Sequence, residues 1–356
     1  MRSSLGMVRR THKEWHGRVV GLMRSVATGN VALDIARILL RSLDELKSTD
    51  ISDATIELLA RSSIRNVHIV GRRGPTQASF TNKELRELLS LQGVQVLVQQ
   101  RDLELNAASN EEAKERATKR QLELMASKAQ HVEDFAAHYD RASIDNERRL
   151  FLHFLKSPLE FLADGSDSQG GLAAVHLGLN ELAGEAGKQR AVASGKSETL
   201  RATPALPRML AVTSIGYRAT HVPGVPFDHA KGIVPNVSGR VTLDPASATD
   251  TVMTGVYVSG WLKRGPTGII GTNIWDASDT VISMVDDANQ NKLHQQQSLD
   301  KRGLDGLRAH ELLGHRVVTF ADWLRINEFE LQSGKAKGKS RDKITSTAEM
   351  LRLCHA

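Results

Sequence analysis

Apolar residues recur at Val31, Ile35, Ile38 and Leu39, a spacing that lines one face of a helix and places Asn30 as its N-cap. Asp50 to Ser62 predicts a second, short helix. The run NVHIV, Asn66 to Val70, has the pattern of a buried strand ended by Gly71. This unit therefore reads turn, helix, helix, strand, turn. Thr81 to Leu89 predicts another helix, which Thr81-Asn82-Lys83-Glu84 would open as a capping box with Glu84 reaching back to the Thr81 amide. GVQVLV predicts another strand, and the charged stretch from Asn110 to His138 predicts solvated helix.

Beyond a glycine-rich run from Asp164 to Gly171, AAVHLGL predicts a strand, and Ala183 to Thr203 reads as a polar loop. The texture then changes, which predicts a domain boundary near residue 207. MLAVTSIGY (Met209 to Tyr217) and GVYVSGW (Gly255 to Trp261) are apolar strand patterns ending in glycine. TGIIGTNIWDASDTVISMV predicts a helix behind a tight Gly-Pro-Thr-Gly turn. The tail segment SGKAKGKSRDK reads as a basic loop. No internal repeat is present.

The 356 residues, 40% hydrophobic and 25% charged, are enough for two cores. The single cysteine, Cys354, excludes an internal disulfide and a four-cysteine metal site. No apolar run approaches the roughly 18 to 20 residues of a membrane span. A net charge of +6 suits an acidic partner, an anionic cofactor or nucleic acid. With aromatic residues at 4% and no basic stretch alternating with them, a base-stacking platform is disfavoured, so no nucleic-acid partner is expected. The first 27 residues hold five arginines and one acid, Glu14. That is the composition of a mitochondrial transit peptide, and equally that of an arbitrary start to a truncated chain.

Three stretches carry candidate chemistry. In SVATGNVALDIARILL, a glycine turn opens a helix whose N-terminus could seat a pyrophosphate, but the preceding GRVVGLMR is a poor strand for aiming it. After NVHIV, where a dinucleotide fold that selects NAD carries an acid, the chain has GRRGP. Arg72 and Arg73 cannot accept hydrogen bonds from a ribose, but their guanidinium forks can hold the 2′-phosphate of NADP; a solvated basic turn is the plain alternative. In SGWLKRGPTGIIGTNIWD, Gly260, Gly265 and Gly268 keep the backbone thin around Trp261. A helix starting near Gly268 would present a positive dipole end able to stabilise charge on a reduced isoalloxazine ring. H-E-x-x-H, G-x-S-x-G and P-loop patterns are absent.

Taken together, GNVALDIARILL, VGRRGPTQASFTNKELREL, LHFLKSPLEFL, TSIGY, GIVPNVSGRV, GVYVSGWLKRGPTGIIGT and the terminal EMLRL resemble the adrenodoxin reductase family, the mitochondrial-type ferredoxin-NADP reductases. The likeness runs from about Gly29 to the end, with 103–145 and 180–206 divergent. It implies an α/β fold of two Rossmann-like nucleotide-binding domains, glutathione-reductase-like, with FAD and NADP as cofactors and a [2Fe-2S] ferredoxin as partner. Residues 1–27 would be a leader, 28–206 the NADP-binding domain and 207–356 the C-terminal part of the FAD-binding domain.

By motif, the resemblance implies that Gly29, Asn30 and Val31 line the NADP pyrophosphate, that Arg72 and Arg73 bind the 2′-phosphate, and that Glu84 lies near the nicotinamide side. Trp261, Gly268, Ile269 and Ile270 would touch FAD. Arg86, Arg116 and Arg120 would dock an acidic ferredoxin, where complementary charge mainly speeds and orients encounter. The family location would be the mitochondrial matrix, with peripheral rather than transmembrane contact with the inner membrane. The chain departs from the family in lacking the G-x-G-x-A-G half that seats the FAD pyrophosphate, and Ala27 stands for the first glycine of the family's GQGN turn. The expectation is a reductase with an incomplete FAD domain, inactive unless the missing half is supplied, or else a non-catalytic NADP-binding module.

Overall fold

The computed structural model describes residues 29–139, 147–163, 171–202, 209–243, 252–268, 270–293 and 318–355. The leader, most of the glycine-rich run at 164–171 and Ile269 lie outside the described residues. The chain divides into two compact units, one formed by the residues up to Ile215 together with Val318 onward, the other by Gly216–Val317.

The first unit runs α1 (Asn30–Leu40), α2 (Leu43–Lys47), α3 (Asp53–Ala60), β1 (Asn66–Val70), α4 (Asn82–Leu88), β2 (Val94–Gln99), α5 (Ala107–Glu112), α6 (Arg116–Lys128), β3 (Gln130–Val132), α7 (Ala136–Tyr139), β4 (Arg148–His153), β5 (Lys156–Ala163), β6 (Leu172–Ala183) and β7 (Arg190–Arg201). Strands β1, β4, β2 and β3 lie side by side in that order, all parallel. Their near-continuous apolar runs suit strands buried on both faces. One face packs Val67, Ile69, Val96, Val98, Leu150 and Leu152 against α1, α4 and α6. The other carries Leu97 and Phe151 against Phe135. Strands β5, β6 and β7 form a separate antiparallel sheet.

Several elements differ from the reading of the sequence. Helix α1 buries Ala32, Leu33, Ala36 and Leu40, while Val31 is exposed and Ile35 and Leu39 are only partly buried. The two alanines let the helix approach the sheet more closely than the bulkier stripe would. Ala183 to Thr203 is not a loop, since most of it is β7, paired with β6 from Ala174↔Arg201 to Ala183↔Arg190. As an outer strand it buries only Leu200, so no alternating apolar pattern marks it. Met209 to Tyr217, by contrast, is not a strand; bridging is confined to its first two residues, with Met209 paired to Leu172. Its apolar residues Ile215 and Tyr217 are exposed, and hydrophobicity without a pairing partner does not make a ladder.

The second unit has β8 (Asn236–Val237), β9 (Arg240–Thr242) and β10 (Val252–Tyr257) in one antiparallel sheet, then α8 (Trp261–Arg264) and α9 (Thr272–Asn289). Val234, Val241 and Val258 form its small core. Helix α9 turns a polar face inward: Asp276, Thr280, Ser283 and Asp287 are buried, and Asp287 accepts from Arg240 Nε at 2.7 Å and from the Tyr257 hydroxyl at 2.8 Å. Its apolar Ile274, Trp275, Val281, Ile282 and Val285 are exposed.

The last helices, α10 (Phe320–Ala336) and α11 (Thr347–His355), belong to the first unit. The segment read as a basic loop begins inside α10, and its charges meet acids. Lys337 lies 2.7 Å from Asp53 and Lys343 2.8 Å from Asp50.

Candidate cofactor sites

The first site is built where α1 begins. Gly29, not Asn30, is the N-cap, with extended backbone (φ −121°) and no side chain closing the helix end. Asn30 is the first helical residue, and its Oδ1 accepts the Thr81 N–H at 2.8 Å. A parallel bridge between Gly29 and Ser79 lies beside this bond, so the start of α1 abuts the stretch that follows β1. A Cβ built on Gly29 would meet nothing within 4 Å. Among the described residues nothing crowds this point of the helix end, where an anion could meet free amides and the dipole.

The stretch after β1 carries the two arginines. Arg72 and Arg73 are exposed, and neither guanidinium has a hydrogen-bond or ion-pair partner among the described residues. Their backbone is held at several points. Gly71 N–H donates to the His153 carbonyl and Lys156 N–H to the Gly71 carbonyl, both at 2.9 Å; Leu155 N–H donates to the Arg73 carbonyl at 3.1 Å. Asn180 Nδ2 donates to the Arg72 carbonyl at 3.0 Å. Gly74 is tightly enclosed, since a Cβ there would lie 2.9 Å from Gln77 Oε1 and 3.3 Å from Leu182 Cδ1. Two free guanidinium groups on a fixed turn, with no acid in it, fit a phosphate dianion and not a ribose diol.

Around this turn the other named residues separate. Thr81 Oγ1 accepts from Glu84 N–H at 3.4 Å, but the Thr81 amide goes to Asn30, so the capping box is only half formed. The Glu84 carboxylate instead lies 3.4 Å from Arg37, in a network where Arg37 reaches Glu87 at 2.8 Å and Arg41 reaches Glu87 at 3.2 Å. Arg86 and Arg116 are exposed and have no polar partner among the described residues, whereas Arg120 pairs with Glu123 at 3.2 Å. Val31 faces solvent at the first turn of α1.

A polar chain that the sequence did not advertise lies beneath the arginine turn. His68 Nδ1 and His153 Nε2 are 2.9 Å apart, and Lys156 Nζ donates to Gln99 Oε1 at 2.6 Å and meets Glu198 at 2.8 Å. Burial, then the nearby Lys156 charge, depresses His68 to a pKa of about 3, and the same causes hold His153 well below the usual histidine range. Burial pushes the Asp102 carboxyl up, although it accepts the Phe154 N–H at 3.1 Å. The signal available in the sequence was the apolar setting of His68 within NVHIV.

In the second unit Gly260 (φ +71°) precedes the half-exposed Trp261, whose ring centroid is 5.6 Å from that of Tyr217. Asp276 fixes this turn by accepting from Gly260 N–H and, at 3.2 Å, from the Ser259 hydroxyl. A Cβ on Gly260 would meet nothing within 4 Å. Gly268 is different: its φ is +87° and a Cβ there would lie 2.7 Å from Thr272 Oγ1, so its own helix start demands glycine. Helix α9 begins at Thr272, with Gly271 as cap, rather than at Gly268. Ile270 is 89% exposed.

Searches among known proteins agree on one relationship, although no model of a known protein family matches the chain. It is 40% identical over 328 residues to the mitochondrial NADPH:adrenodoxin oxidoreductase of Arabidopsis thaliana, covering 91% of this chain and 64% of the relative. It is 37% identical over 353 residues to the NADPH-ferredoxin reductase FprA of Mycobacterium leprae, covering 97% of this chain and 70% of the relative. The chain belongs to the adrenodoxin reductase and NADPH-ferredoxin reductase family. In structure it is similar to Mycobacterium tuberculosis FprA in complex with NADPH, with a TM-score of 0.74 at 35% identity over 95% of this chain and 68% of that one. The chain spans about two thirds of the length of the curated relatives it matches. The α/β fold with a parallel sheet is that of this family.

Proposed function

We propose that this chain takes part in NADPH-dependent reduction of a [2Fe-2S] ferredoxin through FAD, with residues 28–206 as the NADP-binding domain and 207–356 as the C-terminal part of the FAD-binding domain. The observation that carries the reading is the pair of guanidinium groups of Arg72 and Arg73, without a polar partner among the described residues, on a turn whose backbone is fixed by four hydrogen bonds. These groups hold the 2′-phosphate of NADP, and Gly29, Asn30 and Val31 at the open end of α1 seat the pyrophosphate. Glu84 shapes the nicotinamide side through its pairing with Arg37.

When bound, FAD supplies the conversion between two-electron hydride chemistry and one-electron acceptors. Trp261, Gly268, Ile269 and Ile270 would hold it; a Cβ on Gly260, next to Trp261, would meet nothing within 4 Å among the described residues. Arg86, Arg116 and Arg120 form the basic surface that orients an acidic ferredoxin, Arg120 only after release from Glu123. The relatives with mitochondrial names support the mitochondrial matrix as the location, with no described helix long and apolar enough to cross a membrane.

A second reading is a non-catalytic NADP-binding module. It is favoured by the exposure of Ile270 and of the apolar face of α9 beside the flavin residues. The visible spectrum of the purified chain with added FAD, followed by NADPH, separates the two. Flavin bands that bleach on NADPH support the reductase; a colourless protein that still binds NADPH supports the module.

A further inference from the structure

We propose that Asn180 is the positioning residue for NADP selectivity, acting through the carbonyl of Arg72 rather than on the cofactor. This inference rests on the reading of Arg72 and Arg73 as the 2′-phosphate ligands.

Asn180 lies on β6, 108 positions from Arg72, and is 9% exposed. The ladder between β6 and β7 shifts register between Gly178 and Asn180, and a bulge of this kind re-aims a side chain out of the regular alternation. Both hydrogens of the Asn180 amide are used, one on the Arg72 carbonyl at 3.0 Å and one on Ser157 Oγ at 2.8 Å. Its backbone N–H donates to the Leu155 carbonyl at 2.7 Å, and Leu155 N–H in turn donates to the Arg73 carbonyl at 3.1 Å. Leu155 itself sits at φ +54°, a left-handed conformation that an L side chain adopts only when its surroundings hold it there.

The result is a closed clamp: one strand residue grips the carbonyls of both arginines, Arg72 directly and Arg73 through Leu155. The guanidinium groups are exposed and touch no described side chain, so only their backbone can limit where they point. A fork that must meet a phosphate bidentately gains from a backbone already fixed, because less freedom is lost on binding. Nucleotides without a 2′-phosphate do not use this gain. Asn180 should therefore govern the ratio of affinities, and not affinity for adenine nucleotides in general.

The test uses the full 356-residue chain and calorimetric titration with 2′,5′-ADP and with 5′-AMP, which differ only in the 2′-phosphate. Asn180→Asp keeps size but removes both donors, and Asn180→Ala removes the group. Each is expected to lower the preference for 2′,5′-ADP roughly three- to tenfold, the effect of losing one buried hydrogen bond, with 5′-AMP affinity unchanged. Ser157→Ala, which leaves the Arg72 bond in place, and Leu177→Ala, a core truncation elsewhere in β6 that lowers stability, are expected to keep the wild-type ratio. If both Asn180 variants keep the ratio while Arg72→Ala and Arg73→Ala lose it, the inference is overturned and the arginine reading stands. If the arginine variants also keep it, both fall.

Discussion

Asn30 Oδ1 accepts the backbone N–H of Thr81 across 51 positions of sequence, fastening the first turn of α1 to the cap of α4. The bond explains why neither residue behaves as local rules predict. Asn30 has moved one step into the helix, and the Thr81 amide is no longer free for Glu84. Asn30→Ala leaves that amide without its acceptor and is expected to cost about 1–2 kcal/mol of stability, measured by urea unfolding. Asn30→Asp keeps an acceptor and is expected to lose less.

Gly29 and Gly268 are both glycines at turns, yet opposite outcomes are expected from adding a methyl group. Gly29 has an ordinary extended φ and open space around a Cβ. Gly29→Ala is therefore expected to keep stability within about 0.5 kcal/mol while weakening NADP+ binding, because the methyl group projects into the space reserved for phosphate. At Gly268 the positive φ and the contact with Thr272 are internal. Gly268→Ala is expected to lower the melting temperature whether or not a cofactor is present, as a thermal scan with and without FAD would report.

The buried His68 and His153 make stability depend on pH in a defined direction. Both are held neutral in the folded chain, His68 with a pKa of about 3, while in the unfolded chain they titrate near the ordinary value of 6.5. Above pH 6.5 neither state takes up a proton and the stabilisation is complete. Below it the unfolded chain binds protons that the folded chain does not, so stability falls as pH drops from 6.5 toward 3. His68 adds about 1.4 kcal/mol per pH unit over that range, and His153 acts in the same direction. Denaturant melts between pH 7 and 5 are expected to show stability falling with pH, and His68→Gln to reduce the slope. A flat profile would remove the histidine pair from the explanation.

Much of the fold was legible where burial is strong. NVHIV, GVQVLV and the helix after Thr81 carry apolar patterns that their places in the core require, and Arg72 and Arg73 stood out because a turn without an acid is unusual after such a strand. What was hidden depends on partners remote in sequence. β7 buries one residue and so leaves no period-two signal. The buried face of α1 was set by Ala32 and Ala36, whose small size matters only against the sheet. Asn180 lies just past the predicted strand AAVHLGL and carried no signal of its own, because its meaning comes from a bulge and from a carbonyl 108 positions away.

Arg86 and Arg116, without a polar partner among the described residues, bear on encounter with an acidic partner. Arg86→Glu and Arg116→Glu are expected to slow association with a [2Fe-2S] ferredoxin and to flatten its dependence on ionic strength, with NADP+ affinity unchanged. Stopped-flow association at two salt concentrations would show this.

Competitive calorimetric titration of the 356-residue chain with NADP+ and with NAD+, repeated on Arg72→Ala/Arg73→Ala, probes the dinucleotide reading with the fewest intervening assumptions. Charge-assisted bonds of about 1.5–3 kcal/mol each lead to a preference for NADP+ of roughly a hundredfold or more, which collapses in the double variant and weakens with salt. Equal affinity for the two dinucleotides in the unaltered chain, or a preference that survives loss of both arginines, would contradict it.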